Sequence, residues 1–503
     1  MLSGMGPPSF RQTHLLVVVP NVNLKRSAAA QAIASISKKI KPEPKTLTKL
    51  LPLSVTEGEH QLDTFSEKRA NGSPMVPTPG LHQFWKEYGG FPECYFIRQE
   101  EVVFGGLVVR LLTEGKHRAV IVGSSGVGKS CFLMLMAFHL ACIKKKKVLI
   151  IRRMKEINTG IAVVFFNGQG SYASLKNLSP NDLFAIRNQV GPATVLVDGF
   201  RQHEADSFTS GLLPFACLAT SCQFDAKQDD NSQVVVLPAW READLLEYAK
   251  SSEWVIETGL RKTTQLKFST WPKLVQEQYF YSGGSLREFC RTREDVKTRV
   301  VDACATVKDI QAFQLVYSYG GAKTEDQVDR IRRHYIADCS MEEHYRKRSC
   351  WVLSVDSGYA LTKLGTIIDT DKQLSVYDFA KCIGGGFHGV AYELLLHNAV
   401  RGAFTKGKPI VLKMREGSKY ERIEIRVRHV VCIGENEAAC YPCLSALDKD
   451  TYWYPSYPFF PFIDAVTTCQ AFPSGSEEFD TIVAYLQVTV AGEKKFRKED
   501  CAG

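Results

Sequence analysis

The chain has 503 residues, of which 45% are hydrophobic and 23% are charged. This composition is typical of folded globular proteins and excludes a largely disordered chain, while the length excludes a single small module and predicts about two or three domains. The formal net charge of +9 favours polyanionic partners such as nucleic acid or phosphates. A basic globular protein without such a partner is an equally good interpretation of the charge.

Cysteine usage and hydropathy bear on the compartment and on membrane association. The sequence contains 15 cysteines without the spacing of a disulfide framework, and Cys131, Cys142 and Cys217 lie in apolar runs. These features indicate reduced, buried thiols. No segment approaches the roughly 18 apolar residues of a membrane helix, and residues 15–19 are too short for the apolar core of a secretory signal. We expect no membrane partner, and no signal peptide is visible in this sequence.

The first 85 residues are rich in Lys, Pro, Ser and Gly and show little periodicity. This texture predicts a tail or linker of low order over residues 1–85. Four lysines at positions 38, 39, 41 and 45 interleave with prolines. The pattern is compatible with a nuclear import signal, although solvated linkers often carry it.

Residues 90–255 alternate between apolar, β-branched runs and helical stretches. This is the pattern of an α/β domain built on a parallel sheet. Because the runs are almost continuously apolar, we expect them to be buried on both faces. The predicted strands are residues 119–122, 148–151, 161–166, 194–197 and 234–237.

The remaining chain divides into two further segments. Residues 256–344 carry longer amphipathic stretches, around 286–298 and 324–335, and are predicted to form a helical lid or connector. Residues 345–503 mix strands with one clear helix at 389–399, which indicates a second, smaller domain of α/β or α+β type.

The strongest motif is a phosphate loop that matches all eight positions of the pattern. It follows a predicted strand and leads into an apolar helical run at 131–142, so both contexts that the motif requires are present. A Gly-rich strand-to-helix turn without a ligand is the weaker interpretation. The motif consists of Gly123, Ser124, Ser125, Gly126, Val127, Gly128, Lys129 and Ser130.

The residue types of this loop suit a nucleoside triphosphate with Mg²⁺. Glycines allow successive backbone amides to face the phosphates, and the start of the helix adds roughly half a positive charge. Lys129 is expected to reach the β- and γ-phosphates, and Ser130 to bind the metal. The predicted cofactors are therefore ATP, or another nucleoside triphosphate, and Mg²⁺.

Two residues outside the loop are expected to complete this site. Asp198 ends an apolar strand and is predicted to hold the Mg²⁺ shell from a neighbouring strand, although an Asp at a strand end is common. Gly199 stands where many ATPases place a glutamate, so the hydrolytic base is not identified and Glu204 is an alternative. Arg287, after a Gly turn in the lid, is predicted to contact the γ-phosphate; an ordinary surface arginine is an equally good interpretation.

Three passages together resemble the Crinkler effectors of oomycetes, and the central ones are also similar to kinetoplastid retrotransposon hot spot proteins. The resemblance covers roughly residues 13–20 and 90–495, and the LFLAK-type header expected ahead of the first passage is missing. The first passage is similar to the family's HVLVVVP motif. The passages are His14-Leu-Leu-Val-Val-Val-Pro20, the phosphate loop, and Leu218-Ala-Thr-Ser-Cys-Gln-Phe-Asp-Ala-Lys227 leading to Leu237-Pro-Ala-Trp-Arg-Glu-Ala-Asp244.

The resemblance implies a secreted virulence effector that acts inside a host cell, usually in its nucleus. In this family a P-loop ATPase is joined to an effector domain, often a kinase-like or a restriction-endonuclease-like one. No kinase catalytic pattern follows residue 345, whereas Glu393, Asp464 and Gln487 stand in the order expected of an endonuclease-like core. DNA and host nuclear proteins are the partners implied.

An endonuclease-like core needs acidic or amide groups to hold Mg²⁺ beside the scissile phosphate. Glu393, Asp464 and Gln487 are the candidate catalytic ligands, the first two as metal carboxylates. Thr489 stands where an active enzyme of this type would carry a lysine, so cleavage is an open question. The structural alternatives are a solvent-facing helix position for Glu393, a turn or cap for Asp464 and an exposed strand position for Gln487.

Three functions remain in competition. The leading hypothesis is an ATP-gated nuclease, in which the loaded P-loop domain and its lid position the C-terminal domain on DNA. The second is a nucleotide-switched effector that binds DNA or a host protein without cutting. The third is a self-assembling signalling ATPase, which predicts homo-oligomers that depend on nucleotide.

Overall fold

The computed structural model describes most of the chain after residue 42. The HVLVVVP-like passage, the lysines at positions 38, 39 and 41, Glu204 and Thr489 lie outside the described residues. Contacts divide the chain into two compact units, Met1–Thr46 and Leu47–Gly503, and the second unit contains both candidate sites. The described residues are 43–56, 58–115, 118–154, 160–200, 209–221, 231–252, 258, 271–305, 307–317, 331–368, 370–383, 385–415, 417–434, 436–461 and 463–488.

The first part of the fold is a large sheet covered by helices. Its strands, with β2 and β3 forming a separate two-stranded sheet, are β1 (Leu51–Pro52), β2 (Met75–Pro77), β3 (Cys94–Phe96), β4 (Arg118–Val122), β5 (Val148–Arg153), β6 (Ile161–Phe166), β7 (Ser171–Leu175), β8 (Thr194–Asp198), β9 (Cys217–Ala219) and β10 (Ser232–Val236). The helices of this part are α1 (Phe65–Ala70), α2 (Pro79–Trp85), α3 (Gln99–Glu114), α4 (Lys129–Phe138), α5 (Pro180–Val190), α6 (Thr209–Leu212) and α7 (Glu242–Ser251).

The eight strands of this sheet follow the order β1-β7-β6-β5-β8-β9-β4-β10. Strands β5, β8, β9, β4 and β10 are parallel, as expected for an α/β domain. The expectation of an all-parallel sheet is wrong for residues 161–166, because β6 runs antiparallel to β5 and is followed by antiparallel β7. A short turn joins β6 and β7, and a tight connection of this kind permits only antiparallel pairing.

The segment before residue 86 differs from the predicted linker over its described part. Phe65, Leu81 and Trp85 are buried in the same core as the central sheet. The ring centres of Trp85 and Phe138 lie 5.8 Å apart, and Phe138 belongs to the helix after the phosphate loop. The apolar residues are too sparse to show a period in the sequence, yet the large aromatic surface that they bury makes this segment part of the domain that contains the phosphate loop.

A helical region comes after the sheet, as predicted for the lid. The sequence predicts a single amphipathic stretch at 286–298, but the turn around residues 290–292 divides it into two helices. Residues 332–336, expected in a helix, form a strand that pairs antiparallel with the next one. The elements are α8 (Trp271–Ser282), α9 (Leu286–Phe289), α10 (Arg293–Cys304), α11 (Asp309–Tyr317), β11 (Arg332–Ile336), β12 (Trp351–Val355), α12 (Gly358–Ile367) and α13 (Thr370–Ile383).

The predicted boundary at residue 345 also differs from the structure. Val296 and Val300 of the lid share one hydrophobic core with Leu361 and Leu364 of α12. The hairpin of β11 and β12 spans the boundary as well. The helices after residue 357 therefore continue the lid, and a separate core begins only in the helix after them.

The C-terminal part consists of a long helix and a mixed, mostly antiparallel sheet. Its order is β13-β14-β17-β16-β15, with β18 on the other edge of β17, and only β15 and β16 are parallel. The helix predicted at 389–399 lies within the long helix. The elements are α14 (Gly385–Thr405), β13 (Ile410–Lys413), β14 (Tyr420–Ile425), β15 (His429–Ile433), α15 (Glu437–Ser445), β16 (Thr451–Pro455), β17 (Ala465–Pro473) and β18 (Asp480–Leu486).

Two further expectations from the sequence concern reduced cysteines and membrane-spanning helices. The cysteines whose side chains the structure describes are free thiols, and Cys217 is buried with a pKa raised by desolvation. No helix in these ranges is long and apolar enough to cross a bilayer.

Candidate functional site

The phosphate loop joins β4 to α4 through backbone conformations that require glycine. Gly126 and Gly128 have φ angles of +82° and +108°, in the left-handed region that L side chains rarely adopt. A Cβ atom on Gly123 would lie 2.6 Å from the carbonyl oxygen of Leu237, which is closer than packed atoms approach. The three glycines of the motif are therefore fixed by the geometry of the turn.

Lys129 and Ser130 begin α4, where the helix dipole and the free amides favour an anion. The ammonium of Lys129 donates to the carbonyl oxygens of Gly123 and Ser124, at 2.6 and 2.8 Å, which holds it over the loop. The hydroxyl of Ser130 donates to Oδ1 of Asp198 at 3.0 Å. The structure thus brings together the lysine, the hydroxyl and the carboxylate that the sequence predicted to form one site.

Asp198 reaches this position from a strand that is not adjacent to β4. The expectation of a neighbouring strand is wrong, since β9 lies between β4 and β8. Parallel strands end at the same edge of a sheet, and strands lie about 4.8 Å apart, so the gap of two strands is about 10 Å. Ser130 spans this distance because it lies in the first turn of α4, the helix that follows the loop at this edge of the sheet.

Arg152 is a member of the site that sequence reasoning missed. Its Nε donates to Oδ2 of Asp198 at 3.0 Å, and the two side chains are only 9% and 5% exposed. The pair occupies matching positions on adjacent strands β5 and β8. An arginine at the end of an otherwise apolar strand was the signal in the sequence, because a buried charge needs a partner.

The rear of the loop is held by residues that the motif does not include. The indole of Trp240 donates to the carbonyl oxygen of Val127 at 3.2 Å. Arg98 is fully buried, donates to the Pro238 carbonyl oxygen at 2.9 Å and lies 3.3 Å from the carboxylate of Glu101. These contacts fix the loop from behind, and they come from segments far apart in sequence, so no local pattern predicts them.

The lid touches the front of the loop through the turn at residues 282–287. Ser285 Oγ donates to the Ser125 carbonyl oxygen at 3.2 Å, and Arg287 Nη1 donates to Ser125 Oγ at 3.3 Å. A Cβ atom on Gly126 would collide with Ser285 Oγ. The structure therefore places Arg287 beside the loop, and its contact with a γ-phosphate stays a prediction.

His334 is a second residue that sequence reasoning missed. Its backbone amide donates to Ser124 Oγ at 3.0 Å, so β11 also contacts the loop. Burial, with the nearby charges of Arg332 and Lys129, lowers the pKa of its imidazole to about 4. The ring is therefore neutral at physiological pH.

Glu393 is linked to a buried tyrosine through a histidine. Glu393 lies 3.4 Å from His397, whose other ring nitrogen is 2.8 Å from the hydroxyl of Tyr452. Burial raises the pKa of Tyr452 above its usual range, and the charges of Glu393 and Asp464 raise it further. Both carboxylates therefore act on the same phenol from different elements.

Asp464 and Gln487 lie close in space because β17 and β18 pair at their ends. The carboxylate of Asp464 accepts a hydrogen bond from the Val488 amide, and its own amide donates to the Leu486 carbonyl oxygen at 2.9 Å. Gln487 stands between those two residues. These hydrogen bonds give Asp464 a structural role in fixing this strand end, beside the predicted catalytic one.

The two sites fit metal to different degrees. Ser130 and Asp198 offer a hydroxyl and a carboxylate, which is how proteins usually hold Mg²⁺ that is also bound by phosphate and water. Across the described ranges, no group of three or more His, Cys, Asp and Glu side chains is placed to hold a metal ion. The set of Glu393, Asp464 and Gln487, which includes an amide, remains a prediction.

Comparisons with known proteins do not identify a family. No family model matches the chain, and no curated protein matches it. Among solved structures, a signal transduction ATPase with numerous domains and a tetratricopeptide repeat sensor, from Pyrococcus horikoshii, aligns with a TM-score of 0.17 and 10% identity. The alignment covers 59% of this chain and about half, 49%, of that one. A TM-score this low supports no argument, so the motif, the sheet and the contacts of the loop carry the assignment of the site.

Replacing Gly126 tests whether loop and lid need this close approach. Gly126→Ala should weaken Mg²⁺–ATP binding about tenfold or more, because the alanine is strained at this φ and displaces Ser285. Gly106→Ala is the matched control: that helical position has no atom within 4 Å of the new Cβ, so the change should add up to about 1 kcal/mol of stability. Titration with a fluorescent ATP analogue measures the affinity, and urea unfolding measures the stability. Equal ATP affinities in Gly126→Ala and Gly106→Ala would contradict the assignment of the phosphate site.

His334 should make stability depend on pH. Its folded pKa of about 4 lies below the unfolded value of 6.5, so between these pH values the unfolded state binds a proton that the folded state does not. Stability should therefore fall as pH falls from 6.5 toward 4. Relative to His334→Gln, the protein should lose roughly 2 kcal/mol more between pH 7 and 4.5 in urea unfolding. The exposed His429→Gln should leave that loss unchanged; a His334→Gln curve parallel to the original would count against the buried neutral ring.

Proposed function

We propose that this protein is a Mg²⁺-dependent nucleotide-binding ATPase whose lid responds to what the phosphate loop holds. The observation that carries the proposal is the 3.0 Å hydrogen bond from Ser130 to Asp198, directly beside Lys129 at the start of α4. In this arrangement the loop amides and Lys129 bind a triphosphate, and Ser130 and Asp198 hold its Mg²⁺. The metal supplies charge neutralisation on the phosphates when bound.

Hydrolysis is proposed to be slow, so that binding dominates. Gly199, the position after the metal carboxylate, has a φ angle of +81°, and a Cβ atom there would lie 2.8 Å from the Arg153 carbonyl oxygen. A glutamate cannot replace it without moving the backbone. Glu101, a buried carboxylate near the loop, is held by Arg98 and is an unsuitable base for an attacking water.

The lid contact supports a switch. Ser285 and Arg287 of the lid both contact Ser125 of the loop, and the side chain of Arg287 is exposed and positively charged. A bound γ-phosphate would offer this guanidinium a stronger, charge-assisted partner than a serine hydroxyl. The lid position should therefore differ between the triphosphate and diphosphate states, because only one of them carries that partner.

Two substitutions test the nucleotide site. Lys129→Ala should weaken ATP binding about tenfold to a hundredfold, since a charge-assisted contact contributes roughly 1.5–3 kcal/mol. Asp198→Asn should remove the Mg²⁺ dependence of binding while leaving metal-free binding in place. Fluorescence titration with and without Mg²⁺ measures both effects.

The control for these variants is Lys147→Ala, an exposed lysine just before β5, which should bind ATP like the original protein. Nucleotide affinity that is equal in Lys129→Ala and Lys147→Ala would rule out this site. Sedimentation with an ATP analogue also distinguishes the switch from the self-assembling ATPase, because only self-assembly produces homo-oligomers when nucleotide binds.

A nuclease-like role for the C-terminal domain is the second candidate. The observation that favours it is the chain of contacts from Glu393 through His397 to Tyr452. Asp464 and Gln487 lie together at the paired ends of β17 and β18. We propose, following the Crinkler resemblance, a secreted effector that acts on DNA in the host nucleus. The presence of Thr489 instead of a lysine predicts weak cleavage at most, and a non-cleaving effector is the alternative.

Plasmid cleavage in Mg²⁺, with and without ATP, tests the nuclease role. If the role is correct, Asp464→Ala should abolish cleavage and Lys129→Ala should remove its dependence on ATP. Asp448→Ala, an exposed aspartate of the same domain, is the matched control and should cut normally. Intact plasmid despite Lys129-dependent ATP binding would reject the nuclease role in favour of a nucleotide-switched binding effector.

A further inference from the structure

A large cleft lies between the lid and the C-terminal helix, away from the phosphate loop. Its volume is about 880 Å³, within the range of about 300–1,000 Å³ that small-molecule sites occupy. Its walls come from α8, α10 and α12 on one side and from α14 and the end of β16 on the other. No sequence motif assigns this cleft a role, although Glu393, one of the candidate catalytic residues, lines it.

Aromatic rings and lysines alternate along the first wall. Lys297 Nζ lies 5.4 Å from the ring centre of Tyr281, which is 5.3 Å from the ring of Tyr359. Lys363 Nζ lies 5.1 Å from the Tyr359 ring. Tyr281 is only 3% exposed and supports Tyr359 from behind, whereas Tyr359 is half-buried and faces the cleft.

The opposite wall adds a further cation. Arg401 of α14 lies 5.4 Å from the ring centre of Tyr454 and donates to its hydroxyl. Burial raises the pKa of the Cys432 thiol, and Arg401 and Lys363 oppose that rise. Arg401 and Lys363 line the cleft from facing walls, and Glu393 is a third charge that acts on this thiol.

Three acidic residues of the cleft have partners, two of them within the cleft itself. Glu294 lies 3.6 Å from Lys297, Glu393 lies 3.4 Å from His397, and Asp356 accepts from a backbone amide and a tyrosine hydroxyl. Neither Lys363 nor Arg401 forms a salt bridge within the described part of the chain. Two such cations beside an accessible ring are the elements with which proteins bind single nucleotides of a strand.

We propose that this cleft binds a nucleoside phosphate, either free or as a nucleotide of a single strand. The base would lie against Tyr359, with the half-buried Phe280 and Phe459, whose rings are 5.4 Å apart, as further apolar surface. The phosphate would lie between Lys363 and Arg401. The cleft is too small to enclose a duplex, and no residue of the phosphate loop lines it, so it is a site separate from the loop.

The cleft is joined to the phosphate loop by the lid turn. The Gly284 amide donates to Asp356 Oδ2 at 2.6 Å, and Asp356 lines the cleft. The next residue, Ser285, contacts Ser125 of the loop. If the proposed nucleotide switch is correct, a ligand in the cleft and ATP on the loop should change each other's affinity by the same factor, because binding linkage is reciprocal.

The test uses the full chain and two probes, a fluorescein-labelled oligodeoxythymidine of about ten nucleotides and AMP as competitor. Lys363→Ala and Tyr359→Leu should each weaken oligonucleotide binding about tenfold. Lys363→Ala should also reduce the slope of log affinity against log salt by about 0.7, the value for one phosphate contact on a single strand. Lys363→Arg should restore most of the affinity, and Lys381→Ala, an exposed lysine outside the cleft, should not change it.

The outcomes separate this proposal from the nucleotide site. Competition by AMP in the Lys129→Ala variant identifies a free nucleotide as the ligand, and binding of the oligonucleotide alone identifies a strand. Binding of neither probe, or binding that Lys363→Ala and Tyr359→Leu leave unchanged, overturns the cleft proposal whatever ATP does. Oligonucleotide binding without ATP binding would instead reject the nucleotide site and leave the cleft in place.

Discussion

The hydrogen bond between Ser130 and Asp198 is the contact on which the rest of the site depends. It joins α4, the helix after the phosphate loop, to β8, which lies two strands away from β4 in the sheet. Arg152 holds the other oxygen of the same carboxylate, so that a buried charge has both a polar and an ionic partner. A buried carboxylate without such partners would be costly. The orientation of Ser130 and Asp198, the proposed metal ligands, therefore depends on how the helix and the two strands β5 and β8 pack together.

The lid is built into this arrangement through short polar contacts. Ser285 and Arg287 rest on the loop, while the adjacent Gly284 amide is bound by Asp356 just after β12. Tyr335 donates to the same carboxylate at 2.5 Å. Ser285, Gly284 and Asp356 thus form a chain of contacts from the loop to the wall of the cleft. Coupling of this kind needs two discrete lid positions, and the contacts on Ser125 define one of them.

Sequence patterns were informative where local chemistry decides the structure. The loop from Gly123 to Ser130, the strand that ends in Asp198 and the helix around Glu393 all lie where the patterns predicted. The patterns were misleading where tertiary contacts decide. Residues before 86 looked like a linker, yet Trp85 is fully buried, and residues 332–336 looked helical although they pair as a strand.

The sequence by itself determined the phosphate loop, because its glycines and the lysine act through local backbone geometry and charge. It also determined the alternation of buried strands and helices, since that depends on periodicity within each element. Only the tertiary structure decided that Arg152 pairs with Asp198, that Trp240 and Arg98 support the loop from behind, and that Lys363 and Arg401 face one cleft. The hydrogen bonds of Arg152 to Asp198 and of Arg98 to Pro238 join residues 46 and 140 positions apart, and no local pattern specifies which distant segments will pack together.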